Sequence, residues 1–414
     1  MARTLFTGVR LFDGSGAPSF AAEVLVDGTR IQAVSPQPLP RADASVVEGR
    51  GGTLLPGLVE PHGHLSFPDA LTWDDFDRLP PEENLLATVR NARTMLECGY
   101  TSCLSAAAAK PRLDVVVRNE IEAGRIPGPR LLANGPEITV TGGLGDNNHL
   151  HRPLATNSSF TLVVDGPHEM RSACRALVRE GVDLLKLNLS GDDGLPYAEG
   201  QRTVMSEEEA KAAVEVARSR GKRVCVHARG ADSVRLALRL GIEIVYHANY
   251  LDEDTLDQLE AARDRVFVVP AVGVVQMLCR EGARFGITPE WCREAGLEKQ
   301  IEASQDGVPK MRKRGVRVLP GGDYGFAWNP HGTYARELQH FVELLGVSPA
   351  DTLVAATRLG GEIMGRGHEL GQVKPGYLAD LLLVDGDPLA DIGRLQDPAH
   401  IRAVMKDGRF FKGP

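Results

Sequence analysis

Two kinds of segment alternate through the middle of the chain: short β-rich apolar runs and longer runs with helical periodicity. This alternation predicts parallel strands joined by crossover helices, and therefore an α/β fold. In the helical run SEEEAKAAVEVARSRG, Ser206 and Glu209 form a capping box, and Gly221 lies where a glycine commonly follows a helix. The candidate strands are TLLPGLVEPHGH, TSCLSAA, RLLANG, DLLKLNL, RVCVHA, IEIVYHA, RVFVVPA and VRVLPGGD.

Eight such strand–helix units are the number that closes a (β/α)8 or TIM barrel. A doubly wound sheet is the alternative fold, but no GxGxxG sequence follows the first strand. The two ends of the chain differ from the middle, because both consist of short β-rich runs broken by Gly, Asp and Pro. We therefore expect residues 1–56 and 368–414 to form one composite β-sandwich domain, and residues 57–367 to form the barrel.

Composition narrows the choice of partners and compartment. The chain has 414 residues and a net charge of −8, and no Lys/Arg run stands out, so neither nucleic acid nor an anionic membrane is an expected partner. No unbroken apolar run approaches the ~20 residues of a membrane helix, and the N-terminus lacks the pattern of a signal peptide. The six cysteines are scattered without a CxxC pair. Reduced thiols and a cytoplasmic location are therefore expected.

Residues with metal chemistry lie where the candidate strands end. In a TIM barrel these carboxyl ends meet at one face, which carries the active site. The segment GLVEPHGHLSF contains two histidines one residue apart, and alternate side chains of a strand point the same way. The full set of candidate metal ligands is His62, His64, Lys186, His227, His247 and Asp323.

Each of these residues alone has an ordinary alternative role. A strand lysine can direct its amine to solvent, a buried histidine can be a hydrogen-bonded core residue, and Asp323 can cap a turn. Their joint placement on five strands favours a metal site instead. Imidazole and carboxylate are ligands for divalent metals such as zinc, whereas an ammonium group cannot ligate. A lysine carboxylated by carbon dioxide can, because its carbamate offers two oxygens that bridge two metals.

The order HxH, Lys, His, His, Asp on eight strand–helix units resembles the amidohydrolase superfamily. LLPGLVEPHGHL resembles the first-strand motif of that superfamily, and LGQVKPGYLADLLLVDGDPL resembles its C-terminal signature. GVDLLKLNLSGD and the segment HGTYARELQHFVELLGVSPADTLVAATRLGGEIMG resemble its imidazolonepropionase-like and prolidase-like branch. Relatives in that branch include amino-acid carboxypeptidases, ochratoxin-type amidases and phenylurea hydrolases.

The resemblance implies two divalent metal ions, with zinc the best suited, and carbon dioxide bound as the carbamate of Lys186. His62, His64 and Asp323 would hold one ion and His227 and His247 the other, with carboxylated Lys186 bridging both. Asp323 would also transfer protons, so that Asp323 and Lys186 are the expected catalytic residues. The resemblance further implies a homo-oligomer.

Two positions depart from the family pattern. Glu60 stands where the first-strand motif usually has Asp, so that a carboxylate is retained. In TVTGGLGDNNHLH, Leu144 replaces a histidine that contacts substrate in the peptidases, which puts a peptidase preference in doubt. His149 and His151 are candidates to take over that contact, and their alternative is to be ordinary loop histidines.

Further substrate-binding candidates follow the strand ends directly. They are Arg229, Tyr250, Trp328 and His331. Arg229 is suited to a substrate carboxylate, although a salt bridge with a protein group is an equal alternative. Aromatic residues near the strand ends would form an apolar wall, and ordinary packing is their alternative role; they are Trp73, Tyr250, Phe326 and Trp328.

We therefore expect an enzyme in which a metal-activated hydroxide cleaves a C–N bond of a small amide, peptide, urea or carbamate. Tyr250 or His151 would help to hold the oxyanion. The alternative is a deaminase or ring-opening hydrolase that acts on a heterocycle with one metal. A non-enzymatic scaffold protein is a third possibility, but such proteins are expected to lose ligands, and none is missing here.

Overall fold

A computed structural model describes residues 3–41, 43–148, 160–195 and 197–414. Within these ranges the strands, in chain order, are β1 (Arg3–Leu11), β2 (Phe20–Asp27), β3 (Arg30–Ser35), β4 (Ala44–Glu48), β5 (Thr53–Pro56), β6 (Leu58–Gly63), β7 (Tyr100–Ser105), β8 (Arg130–Leu132), β9 (Glu137–Thr139), β10 (Thr161–Val163), β11 (Leu184–Asn188), β12 (Arg223–Gly230), β13 (Ile244–Tyr250), β14 (Phe267–Val269), β15 (Arg317–Val318), β16 (Leu381–Val384), β17 (Ile401–Lys406) and β18 (Arg409–Lys412).

The α-helices of the same ranges are α1 (Asp75–Arg78), α2 (Pro81–Glu97), α3 (Leu113–Glu122), α4 (Gly166–Glu180), α5 (Glu207–Ser219), α6 (Ala231–Arg239), α7 (Glu253–Ala261), α8 (Val272–Glu281), α9 (Pro289–Glu294), α10 (Leu297–Lys313), α11 (Arg336–Glu343), α12 (Pro349–Val354) and α13 (Gly360–Ile363). A π-helical segment, Ala355–Leu359, lies between α12 and α13. Shorter 3-10 turns are Gly282–Phe285, Ile392–Gln396 and Pro398–His400.

Strands from both ends of the chain form one eight-stranded sheet. Its order is β18-β17-β16-β5-β1-β2-β3, and β4 pairs with β1. The two ends meet where β16 pairs antiparallel with β5. The sheet buries an apolar cluster of its own, which includes Phe6, Val24 and Met405. The division of this region into a β-sandwich domain stays a prediction.

The middle of the chain forms two parallel sheets, with helices between most of the successive strands. One has seven strands in the order β10-β9-β11-β12-β13-β14-β15, and the other has three in the order β6-β7-β8. The amides of Asp183 and Leu184, at the start of β11, both donate to the carbonyl of Ala133, which directly follows β8. This contact joins the two sheets. The fold is therefore mixed α/β with parallel sheets, as the alternation of segments predicts.

The predicted strand TLLPGLVEPHGH is two strands in the structure. β5 belongs to the eight-stranded sheet and β6 to the three-stranded parallel sheet, and the chain passes between them at Gly57. A Cβ atom at this glycine would lie only 2.0 Å from Oγ1 of Thr101. The close approach explains why a glycine occupies the junction. Apolar periodicity alone does not detect this change of sheet, because both strands are fully buried.

β9 and β10 have no counterpart among the eight predicted strands. Each is only three residues long, and both belong to the seven-stranded sheet. Such short strands fall below the length at which alternation becomes visible.

The predicted start of α5 is confirmed. The side chain of Ser206 accepts a hydrogen bond from the amide of Glu209, and the side chain of Glu209 accepts one from the amide of Ser206. Gly221, two residues after the helix, has a left-handed φ of 63°. The buried face of α5, with Ala210, Val214 and Ala217, joins the largest apolar cluster of the molecule. Among the helices of the described ranges, none has the length and hydropathy needed to cross a lipid bilayer.

Candidate active site

The six predicted ligands line one cavity at the carboxyl ends of the parallel strands. The cavity has a volume of about 60 Å³. His62 lies in β6 and His64 directly follows it, Lys186 lies in β11, and Asp323 follows β15. The ligand candidates that line the cavity are His62, His64, Lys186, His227, His247 and Asp323. The tertiary structure thus brings the whole set together.

His62, His64 and Asp323 form the tightest group. Their ligand atoms all lie within 4.8 Å of one another. Oδ1 of Asp323 is 3.1 Å from Nε2 of His64 and 3.7 Å from Nε2 of His62. Burial would raise the pKa of Asp323, but the neighbouring imidazoles and Lys186 outweigh burial and hold the pKa below its usual range. The carboxylate is therefore ionised at neutral pH.

Two imidazoles are oriented by backbone carbonyls. Nδ1 of His64 lies 3.1 Å from the carbonyl oxygen of Ala107, and Nε2 of His227 lies 2.9 Å from that of Gly191. A carbonyl oxygen can only accept, so these ring nitrogens carry the protons. The other nitrogen of each ring keeps its lone pair. Such a hydrogen bond is the usual way in which a metal-binding histidine is fixed in one tautomer.

His62, His227 and His247 are held in the neutral form. Burial lowers the pKa of His227 to about 3, and it lowers the pKa of His62 and His247 well below the usual value. The ring of His62 stacks on Tyr246 at 3.9 Å between centroids, and the ring of His64 stacks on Phe67 at 4.0 Å. Neutral imidazole is the form that binds metals.

Two of the candidate ligands have strained backbones. The φ angles of His247 and Asp323 are 73° and 55°, in the left-handed region that residues with a Cβ seldom adopt. Each such conformation costs on the order of 1–3 kcal/mol, and it persists only where the surrounding structure imposes it. Residues of this kind cluster at active sites, which fits the position of both at the cavity.

The buried polar atoms of this cluster fit a metal site. Nδ1 of His62 and Nδ1 of His247 are buried and have no hydrogen-bond partner among the described residues. Uncompensated burial of a polar group costs about 1–3 kcal/mol, so such groups call for a partner. Neutral imidazoles together with one ionised carboxylate are the donor set that zinc prefers. The residues present therefore fit divalent cations.

Glu137 is a site residue that the sequence analysis missed. It lies in β9 and lines the cavity, and its Oε1 is 3.2 Å from Nζ of Lys186. Its Oε2 accepts a hydrogen bond of 2.7 Å from Nδ2 of Asn188. Glu137 and Thr139 share one face of β9, but a strand of three residues is too short to be recognised from its alternation.

Glu60 lies beside the candidate ligands and holds the backbone around them by hydrogen bonds. Its Oε1 accepts hydrogen bonds from the amides of His62, at 2.8 Å, and Gly322, at 3.2 Å. It thereby connects the end of β6 to the loop that carries Asp323. Burial raises the pKa of Glu60 to about 8.

One wall of the cavity is aromatic. Trp73 and Phe160 stack at 5.2 Å with an interplanar angle of 6°, and Phe67 lies 5.8 Å from Phe160 and 5.9 Å from Phe326. Of these, Trp73 and Phe326 were predicted, whereas Phe67 and Phe160 were not. The apolar residues that line the cavity are Phe67, Trp73, Leu144, Phe160 and Phe326.

Arg229 is buried, and protein groups hold its guanidinium. Nε lies 2.8 Å from Oδ1 of Asp192, Nη2 donates to Oδ2 of Asp192 at 3.0 Å, and Nη1 donates to Oδ1 of Asn249 at 2.8 Å. Asp192 itself lines the cavity and was also missed by the sequence analysis. A substrate carboxylate would have to compete with Asp192 for this arginine, so the predicted substrate contact of Arg229 stays a prediction.

The other substrate candidates lie around the site rather than in its wall. Tyr250 donates a hydrogen bond to Asp193 and lines a different cavity, of about 380 Å³. Both ring nitrogens of His331 have partners, Oη of Tyr334 at 2.8 Å and the carbonyl of Phe67 at 3.0 Å. Trp328 stacks on Phe326. His149 and His151 lie outside the described residues.

Comparisons with known proteins show which proteins this chain is similar to. The amidohydrolase family model matches residues 53–411. The ochratoxinase of Aspergillus niger is 28% identical over 383 residues, which cover 87% of this chain and 76% of that protein. The imidazolonepropionase of Rubrobacter xylanophilus is 25% identical over 417 residues, which cover 94% and 90%. A solved prolidase complexed with N-methylphosphonate-L-proline superposes with a TM-score of 0.89 at 26% identity, and the match covers 100% of both chains.

Proposed function

Because the chain belongs to the amidohydrolase family, we propose that it is a metal-dependent enzyme that hydrolyses a C–N bond of a small molecule. The bond is that of an amide, peptide, urea or carbamate. One observation carries the proposal: the six predicted ligands, spread over five parallel strands, line a single cavity. The similarity to an ochratoxinase, an imidazolonepropionase and a prolidase supports this class of reaction.

The proposed site holds two divalent ions, for which zinc suits the ligands best and manganese or cobalt is a substitute. His62, His64 and Asp323 would hold one ion, and His227 and His247 would hold the other. Lys186, as a carbamate made with carbon dioxide, would be a ligand of both. When bound, the ions supply a water that is activated at neutral pH and polarise the carbonyl under attack.

The residues of the chain carry the remaining steps. Asp323 is ionised, and its side chain is only 14% exposed, so it can accept a proton from the attacking water in a largely dry site. It then delivers that proton to the leaving nitrogen. The backbone contacts of His64 and His227 keep both imidazoles turned towards the cavity throughout. Tyr250 or His151 as an oxyanion donor stays a prediction.

The aromatic wall supports a substrate with an aromatic ring or another flat apolar group. The rings of Phe67, Trp73, Phe160 and Phe326 face the same cavity as the candidate ligands. Stacked rings contribute about 0.5–1.5 kcal/mol beyond the area they bury. Anilides and phenylureas are therefore suitable first substrates, together with N-acyl amino acids and dipeptides.

Removal of Trp73 tests this wall. We expect Trp73→Ala to raise the KM for an anilide by up to about tenfold, because a stacking surface is lost, and to leave kcat nearly unchanged. The matched control is the corresponding alkylamide with the same acyl group, for which KM should change little. Equal losses for both substrates would show that Trp73 supports the site in general and does not select rings.

A mononuclear deaminase or ring-opening hydrolase of a heterocycle is the second candidate. Its supporting observation is that within the described ranges the three-ligand cluster comprises His62, His64 and Asp323 alone. In this alternative one ion suffices, and ammonia or a ring-opened acid is the product.

Metal removal distinguishes these candidates. Dialysis against a strong chelator is expected to reduce hydrolysis to background, and zinc, manganese or cobalt should restore it. Elemental analysis of the active protein should give about two ions per chain for the binuclear site and about one for the alternative. Full activity in a preparation without bound metal would contradict both.

We also infer that the two parallel sheets close into a (β/α)8 barrel, flanked by a β-sandwich from both chain ends. The backbone contact at Ala133 and the hydrogen bonds of Glu60 support closure, because the first joins the end of β8 to β11 and the second joins β6 to the loop after β15. The substrate is a small molecule in this proposal, and homo-oligomeric assembly stays a prediction.

A further inference from the structure

Glu137 is a buried carboxylate at the active site that the proposed mechanism does not use. Glu137 is only 6% exposed, and its Oε1 lies 3.2 Å from Nζ of Lys186. A charge in such a place is costly unless it is paired and hydrogen-bonded. Glu137 therefore needs an explanation beyond packing.

The register of the sheet fixes the carboxylate from two sides. β9 and β11 are parallel neighbours, with Leu187 opposite Ile138. Lys186 and Asn188 flank Leu187 and point to the same face of β11. Each donates to one oxygen of Glu137, and Asn188 also donates to the carbonyl of Leu144 at 3.0 Å. These contacts fix the orientation of the carboxylate, so that Oε1 of Glu137 is directed towards Nζ of Lys186.

We propose that Glu137 is a positioning residue for Lys186, which it holds ready for carboxylation by carbon dioxide. The proposal rests on the proposed function, which places a carbamate on Lys186. In the carboxylation step Nζ enters as the neutral amine, after the ammonium of Lys186 has released one proton to solvent. Its lone pair then forms a bond to the carbon of carbon dioxide, and one C–O π pair moves onto oxygen. One amine proton leaves at the same nitrogen, and Oε1 of Glu137 lies beside it to receive it.

The product also needs Glu137. A lysine carbamate keeps one N–H group, and a buried donor requires an acceptor. Both carbamate oxygens are directed to the ions in the proposed site, so they cannot serve. Oε1 of Glu137 accepts from Nζ in the structure, and the same hydrogen bond persists when Nζ carries the carbamate. It thereby sets the rotation of the carbamate about the Cε–Nζ bond.

Glu137→Gln is the decisive variant. An amide offers one acceptor oxygen to two donors, Nζ of Lys186 and Nδ2 of Asn188, so one donor loses its partner. Hydrogen bonds to charged groups contribute about 1.5–3 kcal/mol, which corresponds to about a tenfold or larger change in an equilibrium. We expect the bicarbonate concentration for half-maximal carboxylation to rise by about that factor. Glu137→Asp, which keeps the carboxylate on a shorter side chain, should give a smaller shift.

The measurement is the carbamate ¹³C NMR signal of the zinc-reconstituted protein during titration with ¹³C-bicarbonate. Zinc content by elemental analysis is measured in parallel. Glu290→Gln, at an exposed glutamate of α9, is the matched control and should titrate like the wild type. Circular dichroism checks the fold of each variant, and Glu137→Asp carries the test if Glu137→Gln does not fold.

The outcomes distinguish a failure of the role proposed for Glu137 from a failure of the proposed carbamate on Lys186. An unchanged or lower half-maximal concentration in Glu137→Gln would overturn it, because Glu137 would then be neutral or would stabilise the unmodified ammonium. A wild-type protein without any carbamate signal would overturn the carbamate itself, and with it this role of Glu137. A wild-type signal with a shifted titration in Glu137→Gln supports both.

Discussion

Replacement of Asp323 by asparagine is expected to lower kcat/KM by at least about 10³-fold. General acid–base catalysis alone typically contributes 10²–10⁴-fold, and Asp323 is also a proposed metal ligand. The asparagine preserves the size of the side chain but removes the charge that lies 3.1 Å from Nε2 of His64. The measurement is steady-state kinetics on the best substrate of the panel, together with zinc content per chain.

Two controls make the Asp323 result specific. Asp254→Asn makes the same chemical change at an aspartate whose side chain is 70% exposed, and we expect it to keep full activity. Thermal unfolding of the metal-free proteins checks that Asp323→Asn is folded at the assay temperature, because the asparagine leaves no cavity but removes a charge that the native structure stabilises. An Asp323→Asn protein with wild-type kcat/KM would refute the proposed proton transfer.

Lys186→Ala is expected to lose metal and to lower activity by more than about 100-fold. Even removal of a group that only hydrogen-bonds to a metal ligand typically costs 10- to 100-fold, and Lys186 is proposed as the bridging ligand itself. Short carboxylic acids such as acetate or propionate should restore part of the activity. They supply two oxygens, and the alanine leaves the space that the lysine occupied in a buried position.

Lys186→Met is the matched variant for this test. It keeps an unbranched side chain of nearly the same length but has no amine, so it should be as inactive as Lys186→Ala. Because the methionine fills the space, carboxylic acids should not rescue it. Rescue of both variants would mean that the acids act elsewhere. An active Lys186→Ala protein with unchanged zinc content would show that Lys186 is not a ligand and would favour the mononuclear alternative.

The ligand candidates were accessible to sequence analysis because each lies in an apolar strand or shortly after one. The spacing of His62 and His64 puts both on one face of the chain, and the eight apolar runs supply the frame. The family that these motifs resemble is confirmed by the match over residues 53–411. The structure brings all six candidates to one cavity, while their roles as ligands stay a proposal.

Glu137 shows what a local pattern cannot reveal. It is 49 positions from Lys186 in the chain, and only the pairing of β9 with β11 makes them neighbours. Arg229 is a second case. An arginine at this position suggested a contact with a substrate carboxylate, but the loop after β11 places Asp192 against the guanidinium of Arg229. In both cases the decisive partner comes from a different strand unit.

The sequence by itself determined the α/β class, the alternation of strands and helices in the middle of the chain, the capped start of α5 and the six candidate ligands in or after the strands. These features follow from periodicity and short spacings, which act over a few residues. The tertiary structure alone decided where the first predicted strand divides at Gly57, which polar groups face one another, and which rings form the wall of the cavity. Those features depend on contacts between segments that are distant in the chain. Burial makes these contacts matter, because a buried polar group is costly unless it has a partner.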